Sequence, residues 1–273
     1  MIKVRRVLKG LKTRARDFLP IRYQVPAKYW YGWMRGALEP EMRFLGSLVH
    51  DDDLVIDVGG NRGIYAYQLW RLGARVEVFE PNPMCCRVLR AWAAGKPTVN
   101  VHSVALSSGP GSANLHIPID GAGIEHDASA SIENTGFNRA RNELVQLQTL
   151  DSCRFAEVSL IKIDVEGHEY SVIEGAAATI TSSRPALLIE IEQRHIGRPI
   201  DEVFEEIMAF GYQGYFMASN RLQALANFDV TRHQSMTQFR TEGGEYFNNF
   251  LFLHRARLAA GDYGALVDGR LLK

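Results

Sequence analysis

The sequence predicts an α/β fold in which helices cover both faces of a mostly parallel sheet. Short apolar runs alternate with helix-like segments from about residue 53 onward, and this alternation is typical of parallel strands joined by crossover helices. The last two predicted strands have no clear helical stripe between them, which favours an antiparallel final strand. The 46% content of hydrophobic residues is ordinary for a globular protein with a sizeable core.

The predicted strands and helices alternate along most of the chain. Apolar runs bounded by Gly, Pro and polar residues indicate strands, and the segments of helical periodicity between them indicate helices. The predicted strands, in chain order, are DLVIDVGG, ARVEVFE, TVNVHSVAL, VSLIKID, PALLIEIE, GYQGYFM and FNNFLFLH. The predicted helices span residues 64–72, 84–94, 169–180 and 200–210.

Two irregular segments interrupt this order. Residues 107–147 are rich in Gly, Ser and Asn; within them SANLHIPI alternates like a short extra strand, whereas HDASASIENTGFN is typical of a loop. A long irregular segment in a compact domain is often a functional lid, so we predict a lid-like insert over residues 107–147. The second segment, residues 218–245, contains Gly and polar residues without helical periodicity.

The N-terminus carries a charge that differs from the rest of the chain. Residues 1–22 hold eight Lys or Arg and one Asp, which leaves 23 basic against 30 acidic residues elsewhere. Apolar side chains recur there at helical spacing until Pro20, which predicts a basic amphipathic helix over residues 2–19. The predicted organisation is therefore an N-terminal segment at residues 1–45 and one domain at residues 46–273.

Two interpretations of the basic helix remain open. Its apolar face packs against its own domain or a second copy of the chain, or the helix binds an anionic membrane surface. Nucleic acid is not predicted as a partner, because the body of the chain has no matching basic stripe.

The sequence also predicts a cytoplasmic protein, at the inner face of the membrane if the basic helix binds lipid. It has no secretory signal and no run of the roughly 18 apolar residues that a membrane span needs. Three cysteines, Cys85, Cys86 and Cys153, are an odd number, and adjacent cysteines seldom bridge each other. We interpret them as reduced packing residues.

The segment DVGGNRG follows the first strand, where an open α/β sheet binds its ligands. Gly59 and Gly63 allow a sharp turn and a close approach to a ligand, Asn61 lines the turn, and Asp57 ends the strand. Glu80 ends the second strand, 21 residues after Gly59, where a carboxylate can accept hydrogen bonds from both hydroxyls of a ribose. Loop and acid together predict a nucleoside-binding site.

The loop lacks the glycine pattern G-x-G-x-x-G of dinucleotide-binding proteins, because Asn61 stands where the close-approach glycine would be. This disfavours a pyrophosphate and suits S-adenosylmethionine, which has a ribose but no phosphate. Two alternatives stay open at this point: an NAD-type oxidoreductase, and a catalytically silent module that binds a nucleoside.

With these residues identified, the chain resembles the FkbM-type family of S-adenosylmethionine-dependent methyltransferases over about residues 45–255. One departure is Gly60, where the family commonly has Ala. The matching motifs, in the family's order, are VIDVGGNRGIYA, VFEPNP, VALSS, LIKIDVEGHEYSVIEGA, PALLIEIE and NFLFL.

The resemblance implies a seven-stranded Rossmann-like methyltransferase sheet, mostly parallel with an antiparallel last strand. It implies an O-methyltransferase that moves a methyl group to a hydroxyl of a sugar, a glycan or a glycosylated natural product. Glu80 would bind the ribose, Asn82 would lie beside the adenosine, and Ala105 and Leu106 would line the adenine. The residues that would shape the loop around the cofactor are Asp57, Gly59, Asn61 and Gly63.

Three polar side chains alternate in LIKIDVEGHEY, where a buried strand ends. Asp164 would face the sulfonium, and there it could orient the acceptor, hold a divalent cation or contact the methionine end of the cofactor. Glu166 is either catalytic or a cap for the N–H groups of the following helix. His168 is either catalytic or a solvated surface residue.

An alcohol needs help to lose its proton, and several groups are candidates for the base. An imidazole titrates near neutral pH, and two carboxylates end the fifth strand. Asp164 with Glu190 also offers two oxygen ligands for magnesium, which the sequence leaves open. The candidate bases are His168, His195, Glu190 and Glu192.

The acceptor should contact the two irregular segments. Candidates to stack on or hydrogen-bond a sugar are Phe137, Asn138, His233 and Phe239.

Overall fold

The computed structural model describes residues 19–121, 123–133, 139–240 and 244–267. The strands are β1 (Leu54–Val58), β2 (Arg75–Phe79), β3 (Val99–His102), β4 (Ala105–Leu106), β5 (Gly111–Pro118), β6 (Ala140–Gln148), β7 (Val158–Ile163), β8 (Ala186–Glu190), β9 (Tyr212–Ala218), β10 (Arg221–Ala224) and β11 (Asn249–His254). The helices are α1 (Gln24–Met34), α2 (Ile64–Arg71), α3 (Pro83–Ala93), α4 (Glu169–Glu174), α5 (Ala177–Ser183), α6 (Ile200–Ala209), α7 (Val230–His233), α8 (Met236–Arg240), α9 (Arg255–Ala260) and α10 (Gly264–Val267).

The main sheet has the order β10-β9-β11-β8-β7-β1-β2-β3. Strands β3, β2, β1, β7 and β8 are parallel, whereas β11 is antiparallel to both of its neighbours, β8 and β9. The predicted α/β class and the antiparallel last strand are confirmed. The chain builds outward from β1 to β3 and then returns to β7, so the order reverses between β1 and β7, where such sheets place their ligands.

Apolar side chains that alternate along the central strands face two separate cores. On one face, Val55 and Val76 pack with side chains of α1, α2 and α3. On the other face, Ile56 and Ile161 pack with side chains of α4, α5 and α6. Both faces of the sheet are therefore covered by helices, as predicted.

The main sheet contains one strand more than the seven predicted. Strand β10 forms a hairpin with β9, in which Met217 pairs with Leu222. The turn consists of Ser219 and Asn220, with φ values of 50° and 59°. Two successive left-handed residues form the turn that best matches the twist of paired strands. Ser at the first of these positions is not a typical signal for such a turn, and this explains the missed strand.

The predicted insert contains more regular structure than its composition indicates. Strand β5 pairs antiparallel with β6 from Gly111 opposite Leu147 to Pro118 opposite Ala140, and β4 pairs with the end of β6. The predicted strand TVNVHSVAL thus divides, with β3 in the main sheet and β4 in this second sheet. Strand β6 was missed because only Val145 of its nine residues is buried, which leaves little apolar signal.

Other differences concern the helices. The predicted helix over residues 169–180 is divided into α4 and α5 at Gly175, where a Cβ atom would lie 2.0 Å from the carbonyl oxygen of Ser107. The segment at residues 218–245 contains the short helices α7 and α8, and α9 and α10 follow the last strand. Among the described residues, no helix is long and apolar enough to cross a membrane.

The N-terminal segment predicted at residues 1–45 is described only from residue 19 onward, so the predicted helix over residues 2–19 lies almost entirely outside the described residues. Helix α1 follows it, and Val25 and Tyr29 of this helix belong to the same core as the strands. Two of the predicted acceptor contacts, Phe137 and Asn138, also lie outside the described residues.

Gly60 packs directly against the second strand. A Cβ atom at this position would lie 2.2 Å from Cγ1 of Val78, which is far closer than carbon atoms approach. We therefore expect Gly60→Ala to lower the free energy of unfolding by about 1 to 3 kcal/mol through overpacking, as measured by urea denaturation. In the variant Val78→Ala this penalty should shrink, because the clashing methyl group is gone. A Gly60→Ala penalty of the same size in both backgrounds would show that this contact does not explain the glycine.

Candidate active site

A cleft opens at the carboxyl ends of β1, β2 and β7, where the strand order reverses. Its empty space, including its open mouth, is about 560 Å³. The structure brings many of the predicted site residues to this cleft. Those that line it are Gly59, Asn61, Glu80, Ala105, Leu106, Asp164, Glu166 and His168.

The turn after β1 lies against the end of β7. Gly59 has a φ of 77°, and a Cβ atom on it would lie 1.8 Å from the carbonyl oxygen of Asp164. Only glycine has both the conformational freedom and the small size that this position needs. Asn61, with a φ of 47°, then turns the chain so that its backbone N–H faces the second strand.

Glu80 holds this turn in place. Its carboxylate accepts hydrogen bonds from the backbone N–H groups of Asn61 at 2.6 Å and Asn82 at 2.7 Å. Burial raises the pKa of Glu80 to about 7, although these two hydrogen bonds act in the opposite direction. The carboxylate is thus fixed in position at the cleft wall, and each of its oxygens retains a lone pair for a ligand.

Three predicted cofactor residues lie behind the cleft wall. Asp57 is buried and accepts a hydrogen bond from the backbone N–H of Ala66 in α2, and burial raises its pKa to about 6. Gly63 precedes α2 with a φ of 76°. The side chain of Asn82 caps α3 by accepting from the backbone N–H of Met84 at 3.0 Å. These residues shape the loop and its helices rather than the surface of the cleft.

The insert covers part of the cleft through residues that the sequence analysis treated only as loop. Asp127 and Ser131 line the cleft. Both Nε and Nη2 of Arg62 donate to Asp127 Oδ2, the first at 2.9 Å, and Asn82 Nδ2 donates to Asp127 Oδ1 at 3.1 Å. Ser131 Oγ donates to the carbonyl oxygen of Glu166 at 2.7 Å. The insert is therefore attached to both walls of the cleft.

His168 also joins the insert to the sheet. Its Nδ1 lies 2.6 Å from Oε1 of Glu133 in the insert, and its Nε2 lies 2.9 Å from Oγ of Ser107. Both ring nitrogens are engaged in hydrogen bonds. This arrangement leaves His168 without a nitrogen for an acceptor hydroxyl.

Glu166 pairs with His195, whose Nδ1 lies 3.0 Å from Oε2 of Glu166. Burial by itself would lower the pKa of His195, but the neighbouring Glu166 raises it above its ordinary value. Glu169, rather than Glu166, accepts hydrogen bonds from backbone N–H groups just before α4. The donors are Gly167 at 2.9 Å and Val165 at 3.3 Å. Glu169 thus holds the turn that precedes the helix, and the N-cap position at His168 has no side-chain cap hydrogen bond.

Asp164 has a partner that the sequence analysis missed. Lys162 is only 1% exposed, and its Nζ lies 2.8 Å from Asp164 Oδ2 and 4.8 Å from the ring centroid of Tyr65. Burial alone would lower the pKa of Lys162, but nearby carboxylates, first Asp164, raise it above its ordinary value. The alternation in LIKID is the signal that could have identified Lys162, because it shares a strand face with Asp164.

Glu190 ends the neighbouring strand β8, and its pKa is strongly shifted. Burial and the nearby charge of Asp164 raise its pKa well above its ordinary value, which favours the protonated form at neutral pH. It accepts a hydrogen bond from Asn248 Nδ2 at 2.6 Å. A protonated Glu190 is a weak candidate for a base or a metal ligand. Among the described residues, no group of three or more His, Cys, Asp or Glu side chains is arranged to hold a metal ion.

The remaining candidates lie away from the cleft lining. Glu192 accepts a hydrogen bond from Arg194 Nε at 2.5 Å. The guanidinium of Arg194 also lies over the ring of Phe239, 4.7 Å from its centroid. His233 is buried between the rings of Phe216 and Phe247. Phe239 is half exposed and thus remains accessible to a ligand, whereas His233 is a core residue.

Comparisons with known proteins match the chain to methyltransferases. The family model described as the Methyltransferase FkbM domain matches residues 57–217. A hexuronic acid methyltransferase, AglP of Haloferax volcanii, is 30% identical over 142 residues, which are 52% of this chain and 57% of AglP. The match thus spans a little over half the length of that relative.

Two solved structures resemble the chain at low sequence identity. Methyltransferase FkbM from Methylobacillus flagellatus has a TM-score of 0.47 and 17% identity, and the alignment covers 92% of this chain and 60% of that one. A TehB-like SAM-dependent methyltransferase from Corynebacterium glutamicum has a TM-score of 0.42 and 13% identity over 84% and 96% of the two chains. The strand order, rather than these overlaps, defines the fold.

The ion pair between Arg62 and Asp127 should hold the insert in place. Both side chains are about nine-tenths buried, so Asp127→Asn leaves the guanidinium without a charged partner, which costs about 3 kcal/mol for a buried pair. We expect faster hydrogen exchange of backbone amides in residues 115–133. The matched control is Glu125→Gln, which removes the exposed partner of Arg141 in the same insert. Equal exchange in the two variants would contradict a fastening role for Asp127.

Proposed function

Because this chain belongs to the FkbM methyltransferase family, we propose that it transfers the methyl group of S-adenosylmethionine to a hydroxyl group of a sugar or glycan. The observation that carries the proposal is the charge of the cleft. Its described lining contains four carboxylates, Glu80, Asp127, Asp164 and Glu166, and neither Lys nor Arg. Such a surface attracts a cationic ligand and repels a pyrophosphate.

The residues present fit S-adenosylmethionine, which has a positively charged sulfur, a positively charged amino group and no phosphate. Glu80 has free lone pairs for the two ribose hydroxyls, and the turn at Gly59 and Asn61 lines the cleft beside it. Ala105 and Leu106 offer an apolar surface for the adenine. When bound, this cofactor supplies a methyl group that is already activated by the sulfonium. The negative charges of the cleft would repel the pyrophosphate of a nicotinamide dinucleotide, which disfavours an NAD-type oxidoreductase.

The chain's own residues then have three tasks: to align the acceptor, to exclude water and to receive the hydroxyl proton. Asp164 is the best placed for the proton, because it lines the cleft beside the Gly59 turn. Lys162 fixes its carboxylate at one oxygen and leaves the other to accept the hydroxyl hydrogen. His168 has no free nitrogen for this task, and the raised pKa of Glu190 favours its protonated form. In this mechanism His168 positions Ser107 and Glu133, and Glu190 positions Asn248.

A sugar or glycan acceptor is supported by the relative AglP, whose name gives a hexuronic acid as its substrate. We propose that the methyltransferase domain spans residues 46–273, with the insert at residues 107–147 as its lid. The lid and the segment at residues 218–245 would select the acceptor. A glycosylated small molecule fits the same proposal, because its sugar presents the same hydroxyl groups.

A direct assay tests the proposed function. The purified full-length protein is incubated with S-adenosylmethionine and a panel of neutral, amino and uronic sugars, free and as oligosaccharides. Mass spectrometry should detect the gain of one CH₂ group on a sugar, and chemical analysis should locate it as an O-methyl group. Cofactor binding without transfer to any sugar, lipid-linked glycan or glycosylated metabolite would instead support a silent nucleoside-binding module.

Replacement of the cofactor acid should weaken binding selectively. Glu80→Ala removes the carboxylate that would accept the ribose hydroxyls, so we expect a loss of about 1.5 to 3 kcal/mol in the binding free energy of S-adenosylmethionine, as measured by calorimetry. The matched control is Glu77→Ala on the same strand, which removes a buried carboxylate bonded to Asn100 and His102 outside the cleft lining. Equal losses in the two variants would argue against a ribose role for Glu80.

The role of Asp164 calls for two variants. Asp164→Asn should reduce turnover by a factor of roughly 10² to 10⁴, the usual contribution of a general base. It also leaves Lys162 buried without its counter-ion, which destabilises the fold by about 3 kcal/mol. The double variant Lys162→Met, Asp164→Asn removes this uncompensated charge, so it should regain stability without regaining turnover. A double variant as active as the wild type would exclude a catalytic role for Asp164.

A further inference from the structure

The outward face of α1 exposes more apolar surface than any other helix described. Ten large hydrophobic side chains are exposed among the described residues, and six of them lie within residues 19–34. Met34 is 69% exposed, and Trp33 is 60% exposed. A concentration of this kind marks an interaction surface rather than the scattered apolar residues of an ordinary protein exterior.

The face is formed by the helical repeat. Val25 and Tyr29 are buried on the inner side of α1, whereas Tyr23, Trp30 and Met34 recur at intervals of seven and four residues on the outer side. The helix is therefore apolar on both sides. A helix of this kind is normally buried on both sides, so its outer face is suited to a partner.

Guanidinium groups lie over the aromatic rings of this face. Arg22 lies 4.7 Å from the ring centroid of Tyr23, Arg35 lies 5.7 Å from that of Tyr31, and Arg71 lies 4.8 Å from that of Trp30. We define the aromatic–arginine face as Tyr23, Trp30, Tyr31, Trp33 and Met34 together with Arg22, Arg35 and Arg71. Interleaved aromatic rings and cations match the interface of a bilayer, where Trp and Tyr concentrate and lipid phosphates accept hydrogen bonds.

We propose that the aromatic–arginine face binds the surface of an anionic lipid membrane. Residues 1–22 carry eight Lys or Arg and one Asp, while the rest of the chain has a net charge of −7. Each Lys or Arg near such a surface adds to its attraction.

The proposal concerns where the enzyme works and not its reaction, so it can fail independently of the proposed function. A sugar methyltransferase on a membrane surface has access to glycans that are carried on lipids. Binding is measured with the full-length protein and vesicles of phosphatidylcholine, with and without about a third of phosphatidylglycerol. The bound fraction should rise with the anionic lipid and fall as the salt concentration rises.

The double variant Trp33→Ser, Met34→Ser tests the apolar part of the surface. Both side chains point outward, so the fold should be retained, and S-adenosylmethionine affinity measured by calorimetry should match that of the wild type. Partition onto the anionic vesicles should fall by at least about tenfold, because two large apolar groups no longer enter the interface. The matched control is Leu144→Ser, which changes a side chain of similar exposure, 71%, on β6. It should bind vesicles as the wild type does.

Two results would overturn the proposal. One is a wild-type protein that stays in solution with anionic vesicles at low salt. The other is a double variant that binds them as well as the wild type does. Sedimentation equilibrium identifies the rival partner, because a wild-type dimer that becomes monomeric in the double variant, without vesicle binding, assigns the face to a second copy of the chain.

Discussion

The candidate site depends on the close approach of two strand ends. Gly59 lies so near the carbonyl oxygen of Asp164 that no side chain fits between them, and this contact sets the width of the cleft. Glu80 then fixes the turn from the other side through the N–H of Asn61. The acid proposed to bind the ribose is thus also the group that holds the loop, and the proposed catalytic carboxylate belongs to the residue that the loop touches. The proposed cofactor site and the proposed reaction site are therefore parts of one connected arrangement.

Charge is distributed around this arrangement in pairs. Asp164 has Lys162, Glu166 has His195, and Asp127 has Arg62. In each pair the cation lies outside the cleft lining and the carboxylate lies on it. The cations reduce the cost of burying the acids, and the surface that a ligand contacts presents carboxylate oxygens rather than cationic N–H groups. The cleft thereby stays acidic even though the surrounding structure is nearly neutral.

The sequence was informative where a property is local. Runs such as LVIDV and LIKI located the central strands within one or two residues, since strands buried on both faces are continuously apolar. The rule that parallel strands present their carboxyl ends at one edge brought Gly59, Glu80 and Asp164 together correctly. The sequence was uninformative where a contact joins distant segments: Arg62 and Asp127 are 65 positions apart, and no local pattern indicates that they meet. Strand β6 was not predicted because its pairing with β5, rather than its own apolar content, stabilises it.

The attachment of the insert to both cleft walls has a consequence for the catalytic cycle. Asp127 joins the insert to the loop after β1, and Ser131 joins it to the turn after β7. With the insert as the proposed lid, a spent nucleoside would leave the site only after at least one of these contacts opens. Departure of the demethylated product would then require the breaking of the ion pair, the hydrogen bond or both. Because this ion pair is about nine-tenths buried, its opening would respond to temperature more than to ionic strength, even where the chemical step does not.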